Sequence, residues 1–335
     1  MKRYIYLLLV LLISESYSQQ FTIKFATLAP EGTTWMNIMR EYDTAIRKES
    51  GGRLGFKIYA GGVQGDEKDI LRKIRLGQLH STGITGVGIG EIAPKVRILD
   101  SPFLFKSYEE VDHIYKTFDK DFHSAFEEGG YVLLGWAEVG FVYVFTNTPI
   151  SKKEDMKNVK MWMWEGDPIA EATFKSLDIS PIPLSVTDVL TSLQTKLIDG
   201  VYTSPLAAVG LQWWTRVKHV FSLPLADAVG AVVISKKMYN QLPSDLQEIL
   251  LRNGKIYMAK LTELSREDNE KALQTLRKQG LKFSEPISQK SVEEYEESGR
   301  KARQSLVNKL YTEEFLNHIE QTLADFRKSK NKLTQ

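Results

Sequence analysis

Residues 21–28 read FTIKFATL, a run of β-branched and aromatic residues that predicts a buried strand. APEGTT follows as a loop, and Thr33 or Thr34 is placed to cap a helix through Trp35, Ile38 and Met39. A second strand is expected over 53–59, a helix over 66–76 ending near Gly77, and STGITGVGIG as a strand running into a Gly-rich turn. The same rhythm returns later. Strands are predicted at 131–136, 141–146, 159–164 and 229–234, helices at 168–177 and 187–197, and ISPIPL as extended chain. Strand and helix alternating in this way predict an α/β chain with parallel or mixed sheets.

Beyond residue 242 the pattern changes. Ser244 and Gln247 have capping-box spacing, Asp245 suits a helix N-terminus, and no proline interrupts the chain before Gly280. At about 1.5 Å per residue such a helix runs on the order of 50 Å, more than the width of one small domain, so it should span two. A last helical stretch is predicted over 291–327, opened by Ser291 and Glu294. No low-complexity linker separates the halves, which implies a chain that crosses between domains more than once. The division expected is 19–140 plus 228–258 for the first domain and 141–227 plus 259–335 for the second.

Composition narrows the class. Hydrophobic residues make up 42% and charged residues 26% of 335, an ordinary globular balance, and a net charge of +2 gives no basic excess to attract nucleic acid. Lys2 and Arg3 precede an apolar run at 4–13, and Ser16 and Ser18 supply small residues at minus three and minus one. These features predict a secretory signal peptide over 1–18, cut after Ser18 and too short to span a bilayer comfortably, with a signal anchor as the alternative reading. The absence of cysteine removes disulfides, thiolate metal sites and a lipidated N-terminal cysteine. A freely soluble periplasmic protein is expected.

Catalytic chemistry is sparse. His80, His113, His123, His219 and His318 are scattered without zinc-ligand spacing, and no GxSxG elbow occurs. GVGIG at 86–90 has Glu91 where a nucleotide-binding GxGxxG needs its third glycine, and no GKS or GKT follows. No cofactor, metal or enzymatic activity is expected. Aromatic residues are concentrated instead. In KMWMWEGDP, read as a strand, Trp162 and Trp164 share one face and Met161 and Met163 the other. Core packing explains such a face; so does the wall of a concave binding site, which apolar and aromatic groups mainly line.

FATLAPEGTTW, YAGGVQGDEKDILRKIRLGQL, LDSPFLFKSYEEVDHIY, TPISKKEDMKNVKMW, LTSLQTKLIDG and LPSDLQEIL stand in one order along the chain. Together they resemble the DctP-type substrate-binding proteins of tripartite ATP-independent periplasmic (TRAP) transporters. The resemblance implies a two-domain α/β periplasmic binding protein fold with mixed sheets, a ligand cleft between the domains and a long helix spanning both. It further implies delivery of a small molecule to two membrane permease subunits powered by an ion gradient. WMWEGDP, DVLTSLQTKLIDGVY and LQWWTRV are similar to a branch that works beside a periplasmic tetratricopeptide-repeat protein. A sensor or partner-binding protein on the same fold is the competing reading; an enzyme in the same cleft ranks behind it.

Departures from the family pattern matter. Where members carry a carboxylate-clamping arginine in a K-x-R-x-P segment, this chain has Trp162, with Trp164 in the proline's place. An indole offers one N–H and no charge, and cannot imitate a guanidinium fork. A second frequent arginine falls near Val142, and after LIDG the usual Q-E-N is Val201-Tyr202-Thr203. The expected ligand is therefore hydrophobic or amphipathic. Trp162, Trp164, Tyr202, Thr203, Val186 and Val142 are expected to line its site, with Trp35 and one of Trp213 and Trp214, Trp213 being the candidate. Glu165 is a candidate for a polar or cationic end of the ligand. Asp66, a helix cap by position, stands where the family's loop edges the pocket, and Asp167 is read as the cap of the helix starting at Pro168.

Overall fold

A computed structural model describes residues 20–333; the signal peptide expected over 1–18 lies outside them. The elements in order are β1 (Phe21–Thr27), α1 (Thr34–Glu49), β2 (Leu54–Tyr59), α2 (Glu67–Arg75), β3 (Ser81–Thr85), α3 (Gly86–Ile92), α4 (Tyr108–Thr117) and α5 (Asp119–Glu128). They are followed by β4 (Tyr131–Trp136), β5 (Gly140–Thr146), β6 (Trp162–Trp164), α6 (Pro168–Ser176), β7 (Ile182–Leu184), α7 (Val189–Gln194), β8 (Gly200–Thr203) and α8 (Pro205–Gly210). The chain closes with β9 (His219–Ala228), β10 (Gly230–Ser235), α9 (Lys236–Tyr239), α10 (Ser244–Lys278), β11 (Lys282–Ser284), α11 (Gln289–Ser305) and α12 (Glu313–Leu333).

Two sheets organise two lobes. The first has five strands in the order β2-β1-β3-β10-β4, parallel from β2 to β3 and antiparallel at β10. The second has four, β11-β9-β5-β8, with β5 antiparallel to both neighbours. Each sheet is covered on both faces, as strand alternation requires. In β10, Ala231 and Val233 enter one core cluster while Val232 and Ile234 enter the cluster on the opposite face. In the second sheet Phe145 and Val220 face one cluster, Val144 and Phe221 the other. β9 and β10 are joined end to end through Val229, so this stretch links the sheets directly.

The uninterrupted helix predicted from residue 244 is α10, 35 residues long. Leu246, Leu250, Met258 and Leu261 pack in the first lobe, and Leu276 in the second. Gly254 and Gly135 let the helix settle onto β4: a Cβ at Gly254 would stand 2.5 Å from the Leu134 carbonyl, and one at Gly135 2.6 Å from Met258 Cβ. Its start departs from the expected capping box. Pro243 is the N-cap with no side-chain cap, and Gln247 instead donates to the Tyr239 and Leu242 carbonyls at 3.0 Å.

Three further expectations are revised. GVGIG is the opening of α3 rather than a turn; Gly86 and Gly88 are needed because a Cβ there would meet Asp100 Oδ2 at 2.6 Å and Glu67 Oε2 at 2.8 Å. The last helical stretch is two helices, broken where Asn308 takes φ 62°. α11 packs on α6, and Leu316, Ile319 and Leu323 of α12 join the first lobe's core. β9 adds a strand where none was expected; it carries Pro224, and its ladder to β5 is irregular between Val142 and Val144. Among the described residues no helix is long and apolar enough to cross a membrane.

Candidate functional site

A cavity of about 240 Å³ lies between the lobes, and its lining is mostly apolar. The alternation read in the sequence builds its centre: Trp162 and Trp164 both line the cavity, while Met161 and Met163 turn to the cluster behind. Trp162 stacks on Tyr202 at 4.9 Å between ring centres and meets Trp213 edge-on at 5.2 Å. Only 2% of Trp162 is exposed, so it is core and cavity wall together. Trp213 reaches the cavity and its neighbour Trp214 does not. Val142, Val186 and Thr203 complete this side, and Trp35 faces it from the first lobe. Trp35 lies across Gly83, where any Cβ would overlap its ring.

The indole donors of the WMW strand are already used. Trp162 Nε1 donates to the Leu184 carbonyl at 3.0 Å and Trp164 Nε1 to Asp66 Oδ2 at 3.2 Å. Tyr202 Oη accepts from the Trp164 amide at 3.2 Å, and burial holds its phenol well above the ordinary range. What Trp162 and Trp164 present to the cavity is ring faces and edges, which bind by burial and dispersion.

Asp66 and Glu165, grouped with the site from sequence, lie outside the lining. Glu165 is exposed. Asp66 caps α2 through Oδ1, which accepts from Glu67 N at 2.6 Å. Its Oδ2 reaches across the cleft and accepts from Ser185 Oγ at 2.6 Å, Val186 N at 3.1 Å and the Trp164 indole. One carboxylate thus starts a helix in the first lobe and clasps the second.

Sequence reading missed the polar part of the cavity. Arg97, 2% exposed, donates from Nε to Asp100 at 2.8 Å and from Nη2 to Asp167 at 2.9 Å. Asp167 also accepts from Ile169 N at 3.0 Å, so the expected cap of α6 is made and the same carboxylate ties the lobes together. Asp100 accepts from Val229 N at 2.8 Å; burial, opposed by Arg97, raises its pKa to about 6. Glu67 accepts from Thr85 N and Gly88 N at 2.7 Å, yet burial outweighs these bonds and raises it to about 7. Asp227 also lines the cavity. In total the lining carries four carboxyl side chains, Glu67, Asp100, Asp167 and Asp227, and one basic one, Arg97. The signal was an Arg-x-x-Asp pair inside the apolar run VRILD. Among the described residues no group of three or more His, Asp or Glu is arranged to hold a metal.

This geometry suits reversible enclosure of a small molecule. The family model of bacterial extracellular solute-binding proteins, family 7 (DctP), matches residues 25–307. The C4-dicarboxylate-binding periplasmic protein DctP of Rhodobacter capsulatus is 23% identical over 270 residues, 78% of this chain and 79% of that one. The fold is also that of a TRAP periplasmic solute-binding protein from Citrobacter koseri with bound D-glucuronate, with TM-score 0.80 and 22% identity over 91% of this chain and 99% of that one. DctPAm from Advenella mimigardefordensis, in complex with galactonate, gives TM-score 0.84 and 21% identity over 92% and 99%.

Proposed function

The chain belongs to the bacterial extracellular solute-binding proteins of family 7, the periplasmic receptors of TRAP transporters, and from that premise we propose that its own ligand is apolar or amphipathic. It is a solute receptor rather than an enzyme. Permease subunits in the membrane are the partners that the family implies, and the N-terminal signal peptide accounts for export. We further propose that the moving bodies are the lobes around the two sheets, α12 travelling with the first.

The observation that carries the ligand assignment is the spent aromatic wall: both indole N–H groups of the WMW strand are bonded within the protein. Sugar acids are bound by the Citrobacter and Advenella proteins. At 22% and 21% identity the ligand of this chain follows from its own side chains. A carboxylate entering here meets one guanidinium that already faces two carboxylates. An apolar body is favoured by about 25 cal/mol for each Å² removed from water.

Native mass spectrometry of the mature protein, before and after mild denaturation and extraction, tests the reading. A co-purifying apolar molecule of defined mass supports it; a co-purifying sugar acid overturns it. Trp162→Arg should weaken the apolar ligand, and unchanged affinity would reduce Trp162 to core packing. The similarity of WMWEGDP and LQWWTRV to the tetratricopeptide-associated branch adds a periplasmic repeat protein to the proposal, to be sought by co-purification with the permease subunits.

A further inference from the structure

Asp227 lies near the end of β9, one residue pair short of the link to β10, in the sequence LADAVG. Its exposure is 0%, it lines the cavity, and neither carboxylate oxygen has a hydrogen-bond partner among the described residues. Ser265 of α10, 1% exposed, also lines the cavity with its hydroxyl unpartnered. Flanked by alanines, the buried position 227 would serve the fold as well with a small apolar side chain. A buried polar group without partners is costly, and such a cost in a cavity wall points to a ligand that relieves it.

The surroundings say what kind. Charged groups near Asp227 are Glu138, Asp100, Asp112 and Arg266, with the phenols of Tyr108 and Tyr115 alongside. Arg266 is committed elsewhere, to Glu138 at 2.6 Å and to Asp112 at 2.7 Å. Arg97 is committed to Asp100 and Asp167. Burial first, then Glu138 and Asp100, push the Asp227 carboxyl far above the usual range, so its immediate field is negative. Arg97 Nη1 is also unpartnered. With two carboxylates already on its guanidinium, that atom suits a neutral acceptor, a hydroxyl or carbonyl oxygen.

We infer that Asp227 is the recognition point for a cationic, amine-bearing head group on the ligand, with Ser265 as a second polar contact and the tryptophan wall receiving the apolar body. This rests on the apolar reading of the cleft given above and names the ligand class: an amphipathic amine.

The test is isothermal titration of the mature protein with three probes of one chain length, octylammonium, 1-octanol and octanoate, on the parent and on Asp227→Asn. The amine should bind at least tenfold more tightly than the alcohol and the carboxylate most weakly; Asp227→Asn should bring the amine to the alcohol's level and leave the alcohol unchanged. The probe series on the parent decides the matter even if the variant folds poorly. Equal affinity for all three probes, each lowered by Trp162→Arg, would leave the apolar cleft standing and remove the head-group assignment. An amine affinity untouched by Asp227→Asn would remove it too. Binding of galactonate with none of the three probes bound would remove both.

Discussion

Removing the Asp66 side chain should open the cleft, and the structure allows the effect to be sized. Asp66 Oδ2 takes three donors from the opposite lobe, Ser185 Oγ, Val186 N and Trp164 Nε1. Hydrogen bonds to a charged acceptor contribute roughly 1.5–3 kcal/mol each when buried; partial exposure brings these to about 1 kcal/mol apiece. Asp66→Ala therefore costs the closed arrangement about 3 kcal/mol, and a further ~1 kcal/mol for the lost cap of α2, which open and closed forms share. Only the first part bears on closure. If ligand binds the closed form, affinity for 1-octanol should fall by up to about 100-fold. Ser185→Ala removes one clasp donor and spares the cap, so it should weaken binding by about fivefold. Titration calorimetry reads the affinities, and small-angle scattering reads the radius of gyration of the ligand-free protein, which should rise in Asp66→Ala. An affinity within twofold of the parent, with a thermal midpoint lowered by the cap loss alone, would refute the clasp.

Other consequences follow from the same geometry. Glu67 has a folded-state pKa of about 7 against 4.5, so the folded form holds an extra proton in between; its contribution is fully present below 4.5 and is lost as pH rises through 7. The span is about 3 kcal/mol, and Glu67→Gln should flatten the fall in melting temperature between pH 4.5 and 7 relative to the parent. Asp167→Asn keeps an acceptor for the Ile169 amide but strips one charge from Arg97, and should destabilise by about 3 kcal/mol in urea unfolding. Gly83→Ala drives a methyl into the Trp35 ring; a loss of about 1–3 kcal/mol in thermal unfolding and weaker 1-octanol binding are expected together.

What the sequence disclosed was mostly local. Strand alternation in WMW put the tryptophans on one side, and Asp167 before Pro168 announced a cap that the structure contains. The absence of proline after Pro243 announced α10, although its capping box did not form. Long-range pairings were not legible. Asp66 was visible as a helix cap, but its clasp partners stand 98 and 119 positions away. GVGIG looked like a turn because glycine marks turns; its glycines are set by the bulk of Arg97, Asp100 and Glu67 beside α3. β9 was not foreseen, nor was Asp227 within it, whose meaning depends on a cavity that no local pattern describes.

The charge arrangement of the cleft and its aromatic wall support one another. A carboxylate site needs donors held ready in a positive field, at the cost of keeping them desolvated between ligands. Here the indole donors of Trp162 and Trp164 are spent within the protein, and the single guanidinium is outnumbered by its carboxylates. An arginine at 162 alone would therefore not give carboxylate binding, because the guanidinium already in the cavity stays committed to Asp100 and Asp167. Trp162→Arg should lose the apolar probe without gaining galactonate. Galactonate binding should appear only when Asp227→Asn is added, since that second change puts an amide donor where a buried carboxyl stands without partners. Galactonate bound by Trp162→Arg alone would mean that the tryptophan, and not the acidic field, sets the specificity.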